Sequence, residues 1–106
     1  QFDNIHEAVK GSHAVHTDVW TSMGQESETN KREKAFASFQ VTESVMKDAA
    51  VGAIFMHCLP AHRGEEVAAE VIDGPKSVIW REAFHRRTTI QAILYHLVRG
   101  ELEGSL

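Results

Sequence analysis

One cysteine in 106 residues leaves no partner for an internal disulfide. A reducing cytoplasm is therefore the expected compartment, and Cys58 is a free thiol open to chemistry. No apolar run is long enough to cross a bilayer, and Gln1–Glu7 lack the basic start and apolar centre of a secretory signal. Positive charge is also in deficit: 11 Lys and Arg stand against 15 Asp and Glu, a formal net charge of −4. A net-acidic surface gives no electrostatic reason to expect nucleic acid or an anionic membrane as partner, although Arg81, His85, Arg86 and Arg87 form a local basic cluster. Internal repeats, low-complexity segments and breaks in composition are absent too, so residues 1–106 read as one domain with a single modest core.

What is present is an alternation of helical and extended patterns. Ile5, Ala8 and Val9 fall at helical spacing before Gly11. His13–Trp20 carries Val15, Thr17, Val19 and Trp20 and reads as a strand, broken by Ser22-Met23-Gly24. Gln25–Lys34 is almost wholly polar, a solvated loop and first helical turn by composition, and Ala35, Phe36 and Phe39 then give it an apolar face. Thr42 can cap a helix whose buried side is Val45, Met46 and Ala49. Ala53–Leu59 reads as a buried strand, because Pro60 has no N–H with which to continue it. A short helix with Glu65 and Glu66 in its first turn follows and stops at Asp73-Gly74-Pro75.

Ser77–Trp80 reads as a third strand, and Ile90, Ile93, Leu94 and Leu97 recur at i, i+3, i+4 and i+7 in a last helix that starts at Thr89 and stops near Gly100. The tail from Glu101 to Leu106 reads as frayed. Strands alternating with helices predict an α/β fold, part of a doubly wound parallel sheet of about three strands with helices on both faces. Three parallel strands leave open edges, so the piece is expected to pair with something larger.

The densest chemistry lies in His57-Cys58-Leu59-Pro60-Ala61-His62-Arg63-Gly64-Glu65-Glu66-Val67, at the end of the second strand, where a parallel sheet opens its ligand crevice. A lone cysteine after an apolar strand is by default a small core residue. Two histidines and an arginine beside Cys58 favour a functional thiol, since cationic neighbours lower a thiol pKa. His57, Cys58 and His62 are too few, and wrongly spaced, for a recognised zinc finger or ribbon, so no metal is expected. His62, Arg63 and Glu65 are expected to brace the loop, and His6, His13, His16, His85 and His96 have no constellation around them.

This run resembles the cysteine-containing signature of ornithine carbamoyltransferases, and Asp18-Val19-Trp20-Thr21-Ser22-Met23-Gly24-Gln25 matches a second motif of that family upstream. The resemblance implies a domain that binds L-ornithine, incomplete here relative to the family domain. A separate amino-terminal domain, holding the family's Ser-Thr-Arg-Thr loop and His-Pro-x-Gln segment, would bind carbamoyl phosphate; neither motif has a counterpart in these residues. By the same resemblance Asp18 would meet the ornithine amine, and Ser22 and Met23 its amino-acid end, with free rather than acylated ornithine as acceptor. Cys58 would be the catalytic proton acceptor at the amine and carbamoyl groups, with Leu59 contributing a backbone carbonyl. Arg86 stands where the family's Glu-Ala-Glu-Asn-Arg segment places an arginine on the carbamoyl oxygen, although Phe84 and His85 replace the second glutamate and the asparagine. The implied product is L-citrulline, in arginine biosynthesis, made without cofactor by an enzyme that is commonly a homotrimer. A non-catalytic fragment that binds an amino acid, or a partner through its sheet edge, is the alternative.

Overall fold

The computed structural model describes residues 1–21 and 29–100. Helix α1, Ile5–Val9, is opened by Asn4, whose side-chain oxygen accepts from the backbone N–H groups of His6 at 2.8 Å and Glu7 at 3.3 Å. Strand β1, Ala14–Thr17, then pairs in parallel with β2, Ile54–His57, in the register Ala14 with Ile54 through Thr17 with His57. Between them lie α2 (Thr29–Phe36), a 3₁₀ turn (Ala37–Phe39) and α3 (Glu43–Asp48). Thr42 caps α3 as its sequence predicts, accepting from Val45 N at 3.3 Å. Helices α4 (Ala69–Ile72) and α5 (Ile79–Arg99) complete the order.

Alternation along the two strands sorts the residues by face. Val15, Phe55 and His57 are buried, whereas Ala14, His16 and Ile54 are exposed and Met56 is half-buried. Val9, Val45, Met46, Val71 and Ile72, from α1, α3 and α4, join Val15 and Phe55 in one core. On the other side Ile54 and Met56 meet the start of α5 across a groove of about 670 Å³ that also takes in Val78, Glu82 and Arg86.

Three expectations are corrected. Among the described residues the sheet has two strands rather than three. Ser77 makes one parallel bridge to Phe55, with Phe55 N donating to Lys76 O at 2.8 Å and Val78 N to Phe55 O at 2.9 Å, and Ile79 then turns into helix. The β-branched pair Val78-Ile79 favours a strand, but Ile79 reaches the core from the first turn of α5 and is 2% exposed. The last helix therefore begins ten residues before Thr89. Arg81–Arg87 carries no apolar stripe to mark it as helix, and in a mostly exposed stretch good helix formers need none.

The third correction concerns Glu65 and Glu66, which precede α4 and do not lie in its first turn. Val41 N donates to Glu66 O at 2.9 Å and Ala68 N to Val41 O at 3.0 Å, so a bridge between Val41 and Val67 holds this stretch extended. Tertiary pairing here overrides helical spacing.

Candidate functional site

Parallel register explains why residues 40 apart meet. Thr17 lies opposite His57 at the carboxyl ends of β1 and β2, so the next residue of each strand, Asp18 and Cys58, leaves the sheet at the same place. The Cys58 thiol donates to Asp18 Oδ1 at 3.0 Å, and the same oxygen accepts from Val19 N at 2.7 Å. That thiol hydrogen bond, followed by the Val19 N–H, lowers the Asp18 carboxyl below its ordinary value. Desolvation, then the hydrogen bond to Asp18 and its negative charge, pushes the Cys58 thiol up. The expected lowering by cationic neighbours is thus overturned: the group against the sulfur is a carboxylate, and the two histidines of the motif face elsewhere.

Arg86 reaches the same point from α5. Its Nη1 donates to the Cys58 backbone carbonyl at 2.8 Å, so it joins the thiol's own peptide rather than the sulfur. Leu59 follows in the left-handed region, φ 59°, and its bond to Pro60 is cis. Its N–H donates to His57 Nδ1 at 2.8 Å. Ser22 and Met23 lie outside the described residues, so Asp18, Cys58, Leu59 and Arg86 are the expected site residues that the structure brings together.

Three residues that support this corner were not expected to do so. Glu66 is fully buried; its Oε1 accepts from His62 N at 2.7 Å and lies 3.0 Å from His57 Nε2. His57 is buried as well, with both ring nitrogens engaged. Glu82 joins three elements: Oε2 accepts from His57 N at 2.9 Å and Oε1 from His16 Nε2 at 3.1 Å, while its helix carries Arg86 one turn further on. His16 is therefore not without a constellation, and neither is His6, whose ring bonds Asp48. Of the expected braces, Arg63 makes a bidentate pair with Asp73, both bonds 2.7 Å, which lowers the Asp73 carboxyl. His62 stands only 3.8 Å from Glu65.

His57 cannot join Cys58 and His62 around a metal, because its nitrogens already serve Glu66 and Leu59. Among the described residues His62, Glu65 and Glu66 are the one trio whose ligand atoms converge, within 4.8 Å. No described helix is long and apolar enough to cross a membrane.

A carboxylate, a thiol and a guanidinium thus gather at the carboxyl ends of the parallel strands of an α/β protein, the end at which such folds bind their ligands. Residues 1–97 match the family model described as Aspartate/ornithine carbamoyltransferase, Asp/Orn binding domain. The chain belongs to that family. It is 54% identical over 99 residues to an ornithine carbamoyltransferase of Cupriavidus metallidurans, covering 93% of this chain and 32% of that protein. An ornithine carbamoyltransferase of Symbiobacterium thermophilum is 62% identical over 87 residues, 82% of this chain and 28% of the relative. Among solved structures, an anabolic ornithine carbamoyltransferase of Campylobacter jejuni aligns with a TM-score of 0.84 at 39% identity, over 92% of this chain and 32% of that one. The Pyrococcus furiosus enzyme aligns at 0.78 and 49%, over 86% and 29%. The chain thus spans about a third of the length of the relatives it matches.

Proposed function

We propose that this chain supplies the ornithine side of a carbamoyl transfer, carried out within a longer polypeptide, in which carbamoyl phosphate and L-ornithine give L-citrulline and phosphate. The observation that carries the reading is the contact of Asp18 with Cys58 at the strand ends, with Arg86 on the adjoining carbonyl. Asp18 is ionised at neutral pH, its carboxyl being held low, and suits an ammonium group. Docking of the ornithine side-chain ammonium against Asp18 takes away the thiol's acceptor and sets a cation beside the sulfur. Both changes lower the Cys58 pKa and let it become a thiolate, the form that accepts a proton.

The ammonium gives up one proton to solvent, and the freed lone pair attacks the carbonyl carbon. As the C–N bond forms, the C=O pair moves to oxygen, where Arg86 is the cation able to steady it. The pair returns, the carbon–oxygen bond to phosphate breaks with its electrons on phosphate, and the nitrogen's second proton leaves to Cys58. Leu59 offers its backbone carbonyl to the carbamoyl NH₂, and Ser22 with Met23 hold the amino-acid head. Carbamoyl phosphate itself is held by an amino-terminal domain, in a cytoplasmic homotrimer that serves arginine biosynthesis without metal or cofactor.

The test joins this chain to the amino-terminal remainder of the Cupriavidus metallidurans relative and assays citrulline from ornithine and carbamoyl phosphate. Formation of citrulline by the joined polypeptide, and none by the 106-residue chain alone, is expected. A folded fusion that binds ornithine but makes no citrulline would favour a non-catalytic, amino-acid-binding fragment, the reading that the chain's one-third coverage of its relatives keeps open. Comparison with putrescine and N-acetylornithine as acceptors checks the substrate.

A further inference from the structure

The peptide unit between Cys58 and Leu59 is held at both poles. Its carbonyl oxygen accepts from Arg86 Nη1 at 2.8 Å, and its N–H donates to His57 Nδ1 at 2.8 Å. The second bond fixes the state of the His57 ring. A nitrogen that accepts from a backbone N–H carries no proton of its own, so Nδ1 is bare and the ring proton sits on Nε2. The Nε2–H then donates to Glu66 Oε1, 3.0 Å away, in a pocket where both side chains are fully buried. Glu66 Oε1 also takes the His62 N–H at 2.7 Å, tying the far side of the signature loop to the same oxygen.

We propose that His57 and Glu66 are positioning residues for carbamoyl transfer: Glu66 selects the Nε2–H form of His57, and the bare Nδ1 locks the Cys58–Leu59 peptide in place. The inference rests on the function proposed above. Neither residue needs to touch substrate. The peptide they hold carries the thiol on one side and, on the other, Leu59 at φ 59°, a conformation that a leucine keeps only where its surroundings over-determine it. Losing the Nδ1 acceptor would leave the N–H of this half-buried peptide unpaired and let Cys58 drift from Asp18, and small misplacements of reacting groups are costly in rate. Hydrogen bonding rather than charge is the requirement at Glu66, because an amide oxygen can accept from both donors.

Two measurements test this. In the 106-residue chain, ¹⁵N-labelled histidine spectra at about pH 7 should show His57 with a protonated Nε2 and a bare Nδ1; a proton on Nδ1, or averaging between the two forms, would overturn the proposal. In the joined polypeptide, His57→Phe and Glu66→Ala should each lower kcat at least about tenfold with the KM for ornithine within about threefold, and Glu66→Gln should keep kcat within about threefold. Full kcat in the first two variants, or a loss that only tracks their unfolded fraction, counts against positioning. Should either fail to fold, Glu66→Gln decides with the spectra: a folded but inactive Gln variant rejects the hydrogen-bond account. A wild-type fusion that makes no citrulline defeats the parent reading instead, and the ring-state measurement still stands or falls by itself.

Discussion

The strand-end corner and the second half of α5 are opposite in character. Around Cys58, nine residues from both strands, the signature loop and α5 are joined by hydrogen bonds of 2.7–3.1 Å, with His57 and Glu66 wholly enclosed. From Thr89 onward every described residue of α5 is exposed, although Ile90, Ile93, Leu94 and Leu97 form a regular apolar stripe. The first region owes its shape to tertiary bonds that cross the sequence. The second has its backbone ladder and local contacts such as Arg99 Nη1 donating to Tyr95 Oη at 3.0 Å, and a helical segment of about eleven residues is marginal on local interactions. An apolar stripe therefore tells that a helix exists and says nothing of what lies against it.

The largest expected effect falls on the packed side of this contrast. Phe55 is 0% exposed, and Phe55→Ala should cost about 3–5 kcal/mol, enough to unfold a marginal domain of this size. Urea unfolding of the two chains measures it; a cost under about 1 kcal/mol would mean that the core is not organised around β2. Gly74→Ala comes next. A Cβ at Gly74 would lie 2.3 Å from the Glu70 carbonyl oxygen, so backbone must move, at about 1–3 kcal/mol, and the same titration reads it.

The Asp18–Cys58 pair yields an effect of reactivity rather than of fold. With the carboxylate removed by Asp18→Asn, the thiol loses the neighbour that holds its proton, and iodoacetamide should modify Cys58 faster at mildly alkaline pH, by up to about tenfold. Unchanged alkylation would show that desolvation alone sets the thiol. Stability against pH gives the signs separately. Asp18 is held low in the folded chain, so its contribution is present above the ordinary carboxylate range and is lost as pH falls through the folded value. Cys58 is held high, so its contribution is complete below the ordinary thiol range and is lost as pH rises through the folded value. The stability difference between wild type and Asp18→Asn should be flat near neutrality and shrink at both extremes.

How much of this was legible beforehand follows the same division. Both paired strands, the Thr42 cap and the placing of Asp18 and Cys58 each at a strand end could be read, because alternation, a capping hydroxyl and motifs at strand ends are local patterns; their contact with each other could not. Glu66 and Ser77–Trp80 could not. Glu66 is defined by His57 nine residues earlier and by the bridge to Val41, and Ile79 chose helix over strand because the core has room for it there. The direction of the Cys58 shift was missed for one reason: sequence proximity to His57, Arg63 and His62 does not reveal that those side chains turn toward Leu59, Asp73 and the Glu65–Glu66 pair.

The smallest effect belongs to the exposed helix. Leu94 is 56% exposed, and in the 106-residue chain Leu94→Ala should change stability by no more than about 0.5 kcal/mol, since little apolar surface leaves contact and alanine is the better helix former. Amide exchange refines the comparison residue by residue. Protons of Ile93–Val98 should exchange through local opening, well ahead of Phe55, whose N–H bonds Lys76 O at 2.8 Å inside the core. Equal protection in the two places would mean that α5 opens only with the whole domain, which its solvent-facing stripe gives no means of enforcing. Repeating Leu94→Ala in the joined polypeptide then separates a bare helix from a covered one: a loss still under about 0.5 kcal/mol leaves the stripe in water, whereas about 2 kcal/mol or more requires a surface packed against it.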